Sequence, residues 1–297
     1  MLKDDIIICN LTLRFLRGML MKDEFRLLTN NDKNQVMDYL SMNAVGTTFL
    51  YGNVVQFGLE NNKDIRRSAD YYGYFKNGKL KGILPFYNLG SCIPHYNDRD
   101  AVEYFSEKMK ERNFSFLLGM ADLIKPLYEK IKDHKTILEY SDDSYFVNDN
   151  FKPFVMQNID IVNDKDLPLD TAVAFLKEVN EQGFNRITSR DEIIKTMNER
   201  SEEEDSVVVL VNGKAVAHAN IQTFTDKINQ IGGVYTSKDY RGNGYCKAAV
   251  SEICRRILNR GKVPTLMVRK NNTPAVNAYK ALGFNHYCDY LLIGLKS

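Results

Sequence analysis

Two Asn-Gly-Lys turns constrain this chain more than any other feature. The first sits in Tyr74-Phe75-Lys76-Asn77-Gly78-Lys79-Leu80-Lys81-Gly82-Ile83-Leu84, the second in Val208-Val209-Leu210-Val211-Asn212-Gly213-Lys214-Ala215-Val216-Ala217. In each, β-forming residues flank an Asn-Gly pair, the strongest short-range signal for a tight hairpin. Their surroundings also match. A helix-rich stretch precedes each hairpin, and a loop, an amphipathic helix and an apolar strand follow. After the first, the expected helix covers 100–112 and the strand 114–118. After the second, they cover 244–259 and 264–268. The pattern is that of a structural repeat with weak sequence identity; two unrelated α/β units are the plainer alternative.

Asp142, Asp143, Asn148, Asp149, Asn150 and Pro153 form a polar, turn-rich stretch. The domains are therefore expected to be 22–152 and 153–297. The expected fold class is α/β (α+β), each domain a mixed, mostly antiparallel sheet flanked by helices.

Composition removes several function classes. With 40 Lys and Arg against 38 Asp and Glu, the net charge of +2 creates no global field for nucleic acid or an anionic membrane. Five cysteines (Cys9, Cys92, Cys246, Cys254 and Cys288) lack C-x-x-C spacing and read as reduced, mostly buried thiols of a cytoplasmic protein. The four histidines form no H-E-x-x-H cluster, so no zinc is expected. The apolar start is cut by Asp4, Asp5, Arg14 and Arg17, too short to span a bilayer and wrongly charged for a signal peptide. Met19 and Met21 follow closely, and translation is expected to start at one of them; N-terminal mass spectrometry of native protein checks this.

The residues that carry chemistry lie between 231 and 259. Ile231-Gly232-Gly233-Val234-Tyr235-Thr236 reads as a strand, and Arg241-Gly242-Asn243-Gly244-Tyr245-Cys246 turns the chain into a helix with apolar residues at Val250, Ile253, Cys254, Ile257 and Leu258. The first N–H groups of a helix have no intrahelical partner, and the helix dipole adds positive charge there. A glycine-rich strand-to-helix turn is thus a site for a pyrophosphate. Gly242 and Gly244 let the backbone approach the phosphates, and Arg241 and Lys247 add charge. Other phosphate motifs are absent from the chain.

Arg241-Gly242-Asn243-Gly244-Tyr245-Cys246 resembles the GNAT signature [QR]-x-x-G-x-[GA], which binds the pyrophosphate of coenzyme A; Cys246 stands where Gly or Ala is usual. Asn272-Thr273-Pro274-Ala275-Val276-Asn277-Ala278-Tyr279, followed by Leu282-Gly283-Phe284, resembles the family's second signature, N-x-x-A-x-x-x-Y with a terminal G-F. Asn272 or Thr273 suits the cap, Pro274 the first turn and Gly283 the position after the helix. The resemblance covers the last 140 residues or so. The Gly232 to Thr236 run before Arg241 is similar to that of uncharacterised bacterial proteins with two GNAT domains. The first copy departs from the pattern: Gly90-Ser91-Cys92-Ile93-Pro94-His95-Tyr96-Asn97-Asp98-Arg99 holds no such signature. The resemblance implies two tandem GNAT-like domains, the first degenerate and unable to bind coenzyme A.

The resemblance also implies a mechanism. Acetyl-CoA would be the co-substrate, and an amine of a small molecule or peptide would attack it directly in a ternary complex. Val234, Tyr235, Thr236, Arg241, Gly242, Asn243, Gly244, Tyr245, Cys246, Lys247 and Asn272 would bind the cofactor. A backbone N–H near Val234 to Thr236 would stabilise the developing oxyanion, and Tyr279 would protonate the leaving thiolate, so Thr236 and Tyr279 are the expected catalytic positions. A tyrosine packed in the core is the bland reading of Tyr279. The general base stays open among His218, His286, Asp289 and a relayed water. A lone strand histidine such as His218 is more often structural. Glu202-Glu203-Glu204-Asp205 reads as a solvated loop, and Arg255, Arg256, Arg260 and Lys262 as charges placed to suit a helix end. A non-catalytic acyl-CoA sensor and an aminoacyl-tRNA-dependent transferase remain competing readings. The acceptor amine, acyl length and oligomeric state leave no trace in the sequence.

Overall fold

The computed structural model describes residues 23–296; Cys9, Met19 and Met21 lie outside them. Contacts divide the chain into two units that are not contiguous stretches. The first holds the described chain up to Asn43, Asn53–Ser141, and the chain from Leu291 on. The second holds Ala44–Gly52 and Asp142–Tyr290.

The first unit begins with β1 (Glu24–Leu27), α1 (Lys33–Ser41) and the end of α2 (Thr48–Phe57). It continues through β2 (Ala69–Lys76), β3 (Lys79–Tyr87), the two-residue strands β4 (Ser91–Cys92) and β5 (His95–Tyr96), α3 (Ala101–Glu111), β6 (Phe116–Met120), α4 (Ala121–Ile131) and the start of β7 (Ile137–Val147). β1, β2, β3 and β5 pair antiparallel in that order, and β4 pairs parallel with β6. Asn77 and Gly78 take positive φ (54° and 72°), the left-handed pair that the hairpin turn demands. α3 matches its expected span within a residue. β6 starts two residues later than expected, at Phe116, where its parallel pairing with Ser91 begins and the Ser115 and Phe116 N–H groups both bond Gly90 O. Phe105, Met109, Leu117, Ile124 and Leu127 form the core between α3, α4 and the strands.

The second unit carries the rest of β7, then β8 (Asp160–Val162), α5 (Leu169–Glu178), a π-helical turn (Val179–Gly183), α6 (Arg190–Glu199), β9 (Ser206–Val211), β10 (Lys214–Phe224), β11 (Ile228–Thr236), α7 (Tyr245–Asn259), β12 (Val263–Arg269), α8 (Thr273–Ala281) and the first part of β13 (Asn285–Leu295). Its strand order is β8-β9-β10-β11-β12-β7, antiparallel except for the parallel pair β11–β12. Asn212 and Gly213 repeat the positive φ pair at 50° and 76°.

One face of this sheet buries Val207, Val209, Ala217, Ala219, Ile221 and Leu266 against Val250, Ile253, Cys254 and Ile257 of α7. Leu258, expected in that stripe, is 37% exposed. At 100° per residue it falls about 80° from Val250 around the helix and leaves the buried face. The acidic run is not a free loop. Asp205 binds Arg256 and Arg260 at 3.0 Å, and Glu203 binds Lys262 at 2.8 Å. The basic residues at the end of α7 are therefore matched by carboxylates from the segment before β9.

Candidate functional site: a splayed strand beside a helix N-terminus

β11 and β12 pair only from Ile228↔Val263 to Ile231↔Leu266. Beyond that point β11 stays on β10 as far as Thr236, while β12 continues from Met267 to Arg269 on β7. A gap opens between two parallel strands whose unpaired edges face each other. The pairing of β11 with β10 slips between His218 and Asn220, and Gly233 takes φ 58° there. This is a β-bulge, a device that redirects backbone groups where a strand meets a site.

Below the gap the chain enters α7 through Gly242 (φ 81°) and Gly244 (φ 89°), left-handed conformations that a Cβ would strain. Gly244 is the N-cap residue, and the first helical bond runs from Ala248 N–H to Gly244 O. The N–H groups of Tyr245, Cys246 and Lys247 precede that bond and carry the positive end of the helix dipole. The first turn contains no acidic residue.

Gap and turn share one cavity of about 590 Å³. Val234, Tyr235, Thr236, Arg241, Gly242, Gly244, Tyr245, Cys246, Lys247, Asn272 and Tyr279 line it, so the structure gathers sequence-distant candidates at one place. Asn243 stands outside the lining; its amide donates to Tyr240 O and Arg241 O, both at 3.2 Å, and braces the turn. Arg241 Nε donates to Thr236 O at 3.1 Å, while the Thr236 hydroxyl is buried without a hydrogen-bond partner. Lys247 Nζ lies 4.5 Å from the Phe154 ring. Burial, partly offset by Lys247, pushes the Cys246 thiol up to about 11, so the residue that replaces the usual Gly or Ala brings no negative charge.

α8 places Tyr279 on the opposite wall. Asn272 Oδ1 accepts from Ala275 N–H at 3.4 Å and caps the helix, and Pro274 occupies its first turn. The far end closes with Phe284 N–H bonded to Tyr279 O and Gly283 N–H to Lys280 O, a Schellman motif. Gly283 has φ 91°, and a Cβ there would lie 1.8 Å from Asn150 O, so only glycine fits. Tyr279 is 5% exposed and packs on Phe284 at 5.9 Å. Burial, with Cys246 beside it, raises its hydroxyl pKa far above neutrality. The phenol holds its proton at pH 7 and is available as a donor.

The sequence missed part of the wall. Gln182 and Gly183, from the π-helical turn after α5, also line the cavity. Glu178 ends α5 and accepts hydrogen bonds from Tyr235 Oη (2.9 Å) and Ser237 Oγ (2.6 Å), fastening that helix to the end of β11. No local pattern announces these residues; only their long-range pairing does. His286 and Asp289, offered as bases, bond to each other at 2.9 Å and appear nowhere in the cavity lining.

Residues 172–284 match the Acetyltransferase (GNAT) family, a span from α5 to the end of the Schellman motif. The match lies within the second unit, and family and fold support acyl transfer in general. GNAT proteins as a family use acetyl-CoA. No curated protein matches the sequence.

Solved structures match along almost the whole chain. A GNAT-family acetyltransferase from Colwellia psychrerythraea has 13% identity and TM-score 0.57, covering 92% of this chain and 100% of its own. A GCN5-related N-acetyltransferase from Sphaerobacter thermophilus has 15% identity and TM-score 0.59, covering 92% and 95%. A tandem GNAT protein from the clavulanic acid biosynthesis pathway has 12% identity and TM-score 0.53, covering 92% and 98%. At such identities the likeness concerns the fold: two tandem GNAT-like domains. Among the described residues, no helix is long and apolar enough to cross a membrane.

Proposed function

We propose that the protein is an N-acetyltransferase that moves an acetyl group from acetyl-CoA to an amine of a small molecule or peptide. The observation that carries this reading is the shared cavity: a helix N-terminus reached through two left-handed glycines opens into the gap between β11 and β12, with Tyr279 on the far wall. An anion fits the first element, an extended chain the second, and a leaving group that needs a proton the third. Acetyl-CoA has these three parts and supplies the activated acyl group.

In this reading the N–H groups of Tyr245, Cys246 and Lys247 hold the pyrophosphate, with Arg241 and Lys247 adding charge. Asn272, Val234, Tyr235 and Thr236 line the path toward the reacting end, and the Val234 N–H polarises the thioester carbonyl. Tyr279 gives its proton to the departing thiolate as the C–S bond breaks, and the buried phenolate, a strong base, takes a proton back from the water that carries away the one released by the amine. His218 does not serve as the base, since it is buried and does not line the cavity. The amine is deprotonated through water. The chain acts in the cytoplasm, and residues 22–152 are a degenerate copy that does not bind coenzyme A.

Screening amines for release of free thiol from acetyl-CoA tests the reading, with Tyr279→Phe as control. Turnover in the wild type that drops in the variant supports it. Tight acetyl-CoA binding with no turnover on any amine would favour a sensor instead.

A further inference from the structure

His218 sits in the middle of β10, 4% exposed, with Nδ1 2.7 Å from Gly233 O. A carbonyl can only accept, so Nδ1 carries the hydrogen and Nε2 keeps its lone pair. Nε2 is buried and has no partner. Burial lowers the pKa of the ring, the bond to Gly233 opposes this, and Asp164 and Arg200, themselves paired at 2.5 Å, act on the ring from nearby with opposite signs. The imidazole is neutral at pH 7 and its single N–H is spent on one backbone carbonyl.

That carbonyl needs such a donor. Gly233 lies in the bulge, where the ladder between β10 and β11 skips from the His218 pair to the Asn220 pair. A half-buried carbonyl lifted out of its ladder costs free energy if it finds no donor. The fit is close, since a Cβ on Gly233 would lie 3.1 Å from His218 Cε1 and 2.2 Å from Asn220 Oδ1.

The consequence appears on the other side of the same peptide. In a planar trans peptide the C=O of Gly233 and the N–H of Val234 point in opposite directions. With the carbonyl held toward β10, the N–H turns away from β10, toward the side where β12 ceased to pair after Ile231↔Leu266. Val234 lines the cavity there. We propose that His218 is a positioning residue: by holding the Gly233 carbonyl it fixes the Val234 N–H in the cavity, where that N–H serves the acyl carbonyl. The inference rests on the acetyl-CoA reading above and adds the device that sets its polarising group.

Three variants of the full chain test it, each measured by calorimetry with acetyl-CoA and with free CoA. His218→Leu removes the donor, His218→Asn keeps an N–H where Nδ1 was, and His218→Gln places its N–H where Nε2 was. The expected result is that His218→Leu and His218→Gln bind CoA within about 3-fold of wild type but lose the preference for acetyl-CoA. Their kcat falls about 10- to 100-fold, below the 100- to 1,000-fold loss seen when an oxyanion donor itself is removed. His218→Asn recovers most of both. An unchanged acetyl-CoA to CoA ratio in His218→Leu overturns the inference, as does His218→Gln behaving like His218→Asn. If His218→Leu does not fold, the Asn and Gln pair decides alone. Wild-type protein that binds neither ligand removes the acetyl-CoA reading and this inference with it, whereas binding with an unaltered ratio removes the inference only.

Discussion

The two units meet the same problem, a helix starting beside a splayed strand, and solve it in opposite ways. Each follows an Asn-Gly hairpin with matched left-handed dihedrals. Each then has a strand segment that pairs parallel with a later strand over a short distance: Ser91–Cys92 on β6 in the first, Ile228–Ile231 on β12 in the second. At the start of α3 the Asp98 carboxylate accepts the Asp100 N–H at 3.0 Å and the Lys76 ammonium at 3.0 Å, and Glu103 stands in the first turn. That backbone bond, then Lys76, holds the Asp98 carboxyl below its usual range. At the start of α7 there is no carboxylate; Gly242 and Gly244 leave the N–H groups bare, between Arg241 and Lys247. One helix end satisfies its positive pole from within the chain, which serves folding. The other leaves that pole without a carboxylate in its first turn, as the proposed binding of an outside anion requires.

Several experiments break or sharpen this contrast. The largest effect is expected for Tyr279→Phe, which removes the phenol proposed above as the proton donor. Turnover falls about 100-fold or more, the usual weight of general acid catalysis, while acetyl-CoA affinity in calorimetry stays within about 3-fold.

Next come the buried histidines. His95, on β5 of the first unit, contacts Tyr39 Oη at 2.8 Å, and burial pulls its pKa down to about 4 from 6.5. Between those values the unfolded chain binds the proton and the folded one does not, so stability is full above pH 6.5 and is lost as pH falls toward 4. The gap amounts to ~3 kcal/mol at most. Urea unfolding of wild type and His95→Gln at pH 7 and 4.5 isolates it, since the variant should lack this part of the acid sensitivity. Equal acid sensitivity in both would contradict the assignment.

The hairpins offer a matched pair. Asn77→Ala and Asn212→Ala each force alanine into a left-handed conformation and should cost ~1 kcal/mol in denaturant unfolding; a cost at only one turn would weaken the equivalence of the units. The smallest effect is expected for Asp98→Asn, about 0.5 kcal/mol from the partly exposed carboxylate at the helix N-terminus. That change should not create acetyl-CoA binding in the first unit, which still lacks the glycine turn.

Local chemistry was readable from the sequence, and long-range pairing was not. The Asn-Gly turns, the Gly242-Gly244 entry to α7, the Asn272 cap and the Gly283 exit of α8 each depend on a few adjacent residues with special dihedrals or hydrogen bonds. β11 begins three residues before the Ile231 start read from its apolar run, because its parallel register with Val263 sets that end. The exchange of Ala44–Gly52 and of the chain after Leu291 between units depends on distant contacts that no window reveals. The acidic run looked solvated because its partners, Arg256, Arg260 and Lys262, lie some fifty residues on. Gln182 and Gly183 were invisible for the same reason: a π-helical turn carries no composition signal, and Gly183 is explained only by the Tyr235 ring against it.

The most direct test of the central claim puts the first unit's solution into the second. Gly244→Glu places a carboxylate at the N-terminus of α7, where a Cβ already meets Phe154 Cζ at 3.3 Å. Calorimetry of acetyl-CoA against wild type and variant is the measurement. The account predicts micromolar binding to the wild type and a loss of about 100-fold or more in the variant, from the anion repelled and the left-handed turn strained. Equal binding by both proteins, or none by the wild type at millimolar acetyl-CoA, would contradict it.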